Sequence, residues 1–196
     1  MDRRIVTAGV LLSLVAVAAV AEDRVRIVNE GGIRDQWMLA DGVKLAAPGY
    51  PAAFAERGDS VCVAIGYAIQ PDGTTSDFAL LKNWNSSSGE KEPADGYWDA
   101  FTQAGAGALA QWKFKPRPEV TEPKATYTVA TMHFMGRTAV DAGALRGHCA
   151  IADLAVLIER NNKRDADLAR ERNKLDRAEN AARASQSMIA TPGLRK

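Results

Sequence analysis

The chain has 196 residues, 25 of them basic and 24 acidic, for a formal net charge of +1. That balance gives no overall attraction to nucleic acid or to an anionic membrane surface. Hydrophobic residues make up 46% of the chain, enough for one core, and the length fits one domain plus a tail.

At the N-terminus, Met1-Asp2-Arg3-Arg4 is a short basic start, and residues 5–20 are apolar apart from Thr7, Gly9 and Ser13. Ala19-Val20-Ala21 then forms a small-x-small site of the kind signal peptidase cuts, followed at once by Glu22-Asp23-Arg24. A spanning helix needs about 20 apolar residues, and this run is shorter and rich in alanine. The pattern predicts a signal peptide over 1–21, cleaved after Ala21, and export. The alternative is an uncleaved anchor in the inner membrane. No cysteine follows the apolar run, which argues against a lipid anchor.

Residues 24–28 alternate charged and apolar side chains before Gly31-Gly32 breaks the chain. Residues 36–40 are apolar-rich, and Asp41-Gly42 is a hairpin-type turn signal ahead of Val43-Lys44-Leu45. Together they predict a β ribbon or linker over 22–47. Pro51 then suits the first position of a short helix over residues 52–57.

The clearest element follows. Val61, Val63, Ile65, Tyr67 and Ile69 alternate with Cys62, Ala64, Gly66 and Ala68, a period of two that predicts a strand. Pro71-Asp72-Gly73 makes the turn, and residues 77–84 return as a second strand with Phe78 and Leu80 on one face. After a polar loop over 85–93, Trp98, Phe101, Gly105, Ala108, Leu109 and Trp112 recur at helical spacing, predicting an amphipathic helix over 95–112. Gly105 and Gly107 inside it point either to close helix–sheet packing or to a locally weak helix. Residues 113–116 start a third strand that Pro116, Pro118 and Pro123 confine to an edge. Residues 125–135, rich in Thr, Val, Tyr and Phe, read as the last strand. From 150 to 187 the pattern is a long charged helix. Ile151, Leu154, Ile158, Leu168 and Leu175 keep a heptad-like phase that Asn161, Asp165 and Arg172 interrupt, so a solvated helix and a coiled coil both remain open.

No catalytic constellation emerges. No serine sits in a G-x-S-x-G elbow, and neither His133 nor His148 belongs to a recognisable motif. The carboxylates form no paired-acid or H-E-x-x-H signature, and Gly105-Ala106-Gly107 falls inside a helix rather than a phosphate loop. No metal or other cofactor is indicated.

Four features do occur in order. Tyr50-Pro51 opens a short helix, an alternating strand runs to Ile69, Asp72-Gly73 turns, and a helix ends in Ala108-Leu109-Ala110-Gln111-Trp112-Lys113-Phe114-Lys115-Pro116. This order resembles the TonB C-terminal domain, whose members share a Y-P start, a V-x-V-x-F-x-I-x-x-D-G hairpin and an A-L-x-x-W-x-F-x-P junction. The resemblance covers residues 48–136 and implies an α+β fold, a small antiparallel sheet with helices on one face. It makes Tyr50, Pro51, Tyr67, Asp72, Gly73, Trp112, Phe114 and Pro116 structural rather than ligand-binding. It further implies a non-enzymatic, periplasmic protein-interaction module accessory to TonB-dependent transport. Its partners would be a receptor peptide or inner-membrane motor proteins, met by strand addition. Tyr127, Val129 and Thr131 on the last strand are the corresponding candidate edge.

The departures from that family are a leader without histidine, no long Pro-rich spacer, and the charged helix after the domain. Residues 137–149 are expected as a connector and 188–196 as a disordered tail. The two cysteines, Cys62 and Cys149, form an even count for an exported chain, which favours a disulfide over free thiols or a metal site. The small face Cys62-Ala64-Gly66-Ala68 lets another backbone approach, so a Cys62–Cys149 bond is expected to staple the start of the charged helix across it. Two other functions compete with the accessory module. One is a membrane-anchored energy transducer retaining 5–20, and the other an oligomerising envelope protein, such as a homodimer, acting through the charged helix.

Overall fold

Strict alternation does make Val61–Ile69 a strand, and it is the centre of the fold, with all nine residues buried. The computed structural model describes residues 25–138 and 140–189, backbone alone at 178 and 181–189. The expected signal peptide and residues 190–196 of the expected tail lie outside the described residues.

In chain order the strands are β1 (Arg26–Ile27), β2 (Trp37–Leu39), β3 (Val61–Ile69), β4 (Thr75–Asn85), β5 (Phe114–Pro116) and β6 (Thr126–Phe134). The helices are α1 (Tyr97–Leu109), α2 (Ala142–Cys149) and α3 (Leu154–Ile189), and a 3₁₀ turn covers Ala52–Arg57. The main sheet has the order β1-β6-β3-β4. β3 pairs antiparallel with β4 on one side and, without a register shift, with β6 on the other. The fold is α+β, as expected.

β4 is not a plain return strand. Ala64 pairs with Lys82 while Ile65 pairs with Leu80, so Leu81 is an extra residue in a β-bulge. The bulge reverses the phase of the strand. Phe78 and Leu80 face one core, whereas Leu81 and Trp84 face the other. A second register shift lies between Gly66 and Ala68, and Asp77 opposite it takes the left-handed conformation at φ 54°.

Two cores follow from the alternation of β3. Val61, Val63, Ile65, Tyr67 and Ile69 meet α1 through Tyr97, Trp98, Phe101 and Leu109. A Cβ on Gly105 would lie 2.4 Å from Ile65 Cδ1, so this glycine lets the helix sit close on the sheet. Gly107 has nothing within 4 Å and makes no such approach. On the opposite face, Cys62, Ala64 and Val129 meet Leu145, Cys149 and Leu154.

That second layer corrects the expected connector. Residues 142–149 are helical because Asp141 caps the N-terminus, its Oδ1 accepting from Ala144 N at 2.8 Å, and because Leu145 and Cys149, four apart, bury together. The start of α3 is tied twice, Asn29 Oδ1 accepting from Leu154 N at 2.8 Å and Asp153 Oδ1 from Val156 N at 3.0 Å.

The expected N-terminal ribbon is corrected as well. The Asp41-Gly42 turn forms, but residues 43–45 do not return as a strand. β1 instead lies parallel to the start of β6, and β2 pairs antiparallel with β5 in a separate small sheet. Burial of Trp37 explains this choice, since its indole is 2% exposed and donates to Thr126 Oγ1 at 3.0 Å. Among the described residues no helix is long and apolar enough to cross a membrane.

Candidate functional site

The residues carried by the family resemblance fall into one frame. Tyr50 donates its hydroxyl to Asp59 O at 2.9 Å and packs edge-on against Phe101 and Phe134. Pro51, at φ −59°, precedes the 3₁₀ turn. Tyr67 is buried against the edge of the Trp112 ring, and burial lifts its phenol pKa far above the ordinary value. Trp112 Nε1 donates to Ala46 O at 2.9 Å, and Phe114 and Pro116 begin and end β5.

The Asp72-Gly73 turn has a further duty. Asp72 Oδ1 accepts from Thr74 Oγ1 at 2.6 Å and from Thr74 N at 2.9 Å, which holds its carboxyl below the usual range. Gly73 sits at φ +80°, and its carbonyl accepts from Phe114 N at 2.9 Å. β5 therefore docks directly on this turn.

A buried carboxylate that sequence reading passes over organises the domain entrance. Asp59, 4% exposed, accepts from Arg57 Nε at 2.9 Å and from the Tyr97 hydroxyl at 3.1 Å. The Arg57 guanidinium lies over the Tyr97 ring, 5.6 Å from its centroid. Burial first, then the Asp59 charge, raises the Tyr97 phenol pKa strongly, so it stays a neutral donor. The cluster joins the 3₁₀ turn, the start of β3 and α1. Its hydrogen bonds tie these three elements together.

On the other face, Cys62 and Cys149 are joined as a disulfide with their Cα atoms 6.0 Å apart, and both are fully buried. The neighbouring His148 ring stacks flat on Trp84, with centroids 3.9 Å apart and planes 2° from parallel. Trp84 reaches this face because of the Leu81 bulge. His133, on β6, has its Nε2 buried without a partner, and burial together with the nearby Arg146 lowers its pKa below the ordinary value, against Glu30. Among the described residues no group of three or more His, Cys, Asp or Glu could hold a metal ion.

The sheet edges carry the main correction. Tyr127, Val129 and Thr131 lie on β6, and β6 is not the edge. β1 covers its start, Arg26 N donating to Ala125 O at 2.9 Å and Val28 N to Tyr127 O at 3.0 Å. Farther along, a side chain takes the place of a strand. The Glu30 carboxylate accepts from Thr131 N and from Thr131 Oγ1, both at 2.8 Å. Asn29 O accepts from Thr128 Oγ1 at 3.3 Å. The segment just before Gly31 thus caps this side.

The opposite end of the sheet is different. β4 is the terminal strand; at its end Asn85 exchanges backbone hydrogen bonds with Gly89, N to O at 2.9 Å and O from N at 3.0 Å, and among the described residues no other segment pairs with its outer side. Asp77 and Ala79 are exposed on it, and residues 80–84 are half-buried. The turn signal and alternation located this strand in the sequence. β4 ends one side of the sheet in any case; that β6 does not end the other side depends on where residues 26–30 settle.

A solution NMR structure of the Pseudomonas aeruginosa TonB CTD aligns at a TM-score of 0.40 and 20% identity, over 53% of this chain and 90% of that one. No family model matches the sequence, and no curated protein matches it.

Proposed function

We propose that this chain is an exported, non-enzymatic protein-interaction module of the cell envelope that takes extended segments of partner proteins along β4. The observation that carries the reading is the asymmetry of the sheet, covered by β1 and Glu30 at one end and, at the other, ending in β4, whose outer side is bridged only at Asn85 by Gly89 among the described residues. A free strand edge offers a row of main-chain donors and acceptors, and strand addition draws its affinity from them. The sequence resemblance to TonB C-terminal domains supports an interaction role in the periplasm. The basic start, apolar run and Ala19-Val20-Ala21 site support export.

Energy transduction is the weaker reading. β1 begins at Arg26, so only residues 22–25 separate the leader from the folded domain. Fully extended at about 3.5 Å each, they would reach under about 20 Å. An anchor retained at 5–20 would hold the domain against the inner membrane, far from any outer-membrane receptor.

The test is a photo-crosslinking amino acid placed at Ala79 in the exported chain, with Glu119, exposed in the turn after β5, as the control. A discrete protein adduct from Ala79 and none from Glu119 is the expected result. Equal labelling at both positions, or no adduct from β4, would remove the basis for this reading.

A further inference from the structure

Helix α3 continues far past its last contact with the domain, and its exposed face has a pattern. Leu154, Ile158, Asn161, Asp165, Leu168, Arg172 and Leu175 follow one another at alternating steps of four and three. Leu154 is fully buried and Ile158 packs on the second core, so the domain itself covers the beginning of this stripe. Leu168 and Leu175 are 59% and 64% exposed. Beside Ile158 opens an apolar groove of about 330 Å³, which Val25, Ile27, Leu81 and Tyr127 line from the sheet side. Val25 and Ile27 are 51% and 41% exposed there.

We infer that the stripe and the groove are filled by α3 of a second copy of this chain, running antiparallel. Charge decides the direction. In a parallel, in-register pair the seam would set Asp165 against Asp165 and Arg172 against Arg172, and would bring Glu171 toward the partner copy's Asp176 at the flanks. Like charges placed so are unfavourable.

An antiparallel pair crossing between Ala166 and Asp167 removes all three conflicts. Asp165 and Arg172 no longer face their own copies. On the flank of the seam Arg164 comes beside Glu171 of the second copy, offset by two residues or about 3 Å along the axis, within reach of both long side chains, and by symmetry Glu171 comes beside Arg164. Leu175 falls opposite Ile158 of the second copy, at the groove where Val25, Ile27 and Tyr127 are waiting. The same register thus satisfies the flanking charges and covers an exposed leucine. In the single chain Arg164 leans on Asp165 at 3.8 Å and Glu171 on Lys174 at 3.3 Å, all four side chains more than 60% exposed. Surface pairs of this kind are weak and give way to re-pairing across an interface. The inference rests on α3 and the groove, and it stands apart from the role proposed for β4.

Sedimentation equilibrium of the exported chain, disulfide intact, over roughly 1 to 200 µM tests it by mass action. The expected result is a monomer–dimer equilibrium that Leu175→Asp abolishes. Arg164→Glu should weaken it by at least about tenfold, and the double reversal Arg164→Glu with Glu171→Arg should restore it to within about threefold. Circular dichroism of each variant checks that helix and domain remain folded. A monomer at every concentration overturns the inference. So does a dimer indifferent to the charge reversal, which would mean a parallel pair or another surface.

Discussion

Replacing Cys62 and Cys149 together by alanine is expected to lower the unfolding free energy by about 4–5 kcal/mol, the chain-entropy value for a loop of this length. The two positions are 87 residues apart in sequence, and closing such a loop removes many conformations from the unfolded chain. For a chain of this size the loss corresponds to a fall in melting temperature of about 10–15 °C. The effect is concentrated where other anchors are few. Leu145, Cys149 and Leu154 are the fully buried residues of α2 and the start of α3, with Val140, Ile151 and Ile158 partly buried beside them. Loss of the bond should release this layer first and break the His148–Trp84 stack, giving a tryptophan fluorescence change that precedes global unfolding. Denaturant titration of oxidised parent and variant measures both. A loss below about 1 kcal/mol would mean that the second layer is held by something other than the disulfide.

Gly73→Ala carries the second large effect, at about 2–4 kcal/mol of destabilisation. Two costs coincide at this position. Its φ of +80° disfavours any residue with a Cβ, and that Cβ would stand 1.8 Å from Phe114 O, a backbone atom unable to swing aside. Relief requires β5 to leave the turn, which also removes the Phe114 N to Gly73 O bond and disturbs the β2–β5 pair. Gly107→Ala is the control. It lies in the interior of α1 with nothing within 4 Å, so alanine there should stabilise by about 0.5–1 kcal/mol. Chemical denaturation of the two variants should move in opposite directions. Equal effects would mean that the contact between the turn and β5 is absent in solution.

The parts of the fold legible in the sequence are those with a local cause. Period-two alternation marks β3 and, because it divides nine buried residues between two faces, also implies a layer on each side. The small residues on the second face, with Cys149 downstream, point to what covers it. The Trp112-Lys113-Phe114 junction and the Asp72-Gly73 turn are likewise local, although only the structure shows that one docks on the other. What the sequence hides is pairing between distant short segments. β1 and β2 are two and three residues long, too short for a periodic signal, and their partners lie about 80 to 100 residues away. The Leu81 bulge is invisible for a related reason, since one extra residue leaves composition unchanged while moving Trp84 to the other face. α2 carried a single local sign, the Asp141 cap.

The same difficulty governs the functional reading. Nothing local in residues 26–30 announces that they will lie on β6, and the family resemblance puts the candidate edge on the last strand. In the structure a two-residue strand and one glutamate cover it, and β4, an end of the sheet in either case, is left as the exposed edge.

Amide hydrogen exchange of the uncomplexed, oxidised protein, resolved by residue, tests that assignment of the edges most directly. The account predicts that the Thr131 amide, bonded to Glu30, is strongly protected and becomes fast in Glu30→Ala. It also predicts that alternate amides along β4 before Asn85, those directed away from β3, exchange fast in the parent protein, while Asn85 N, bonded to Gly89 O, stays protected. A Thr131 amide that exchanges freely, together with uniform protection along β4, would contradict it.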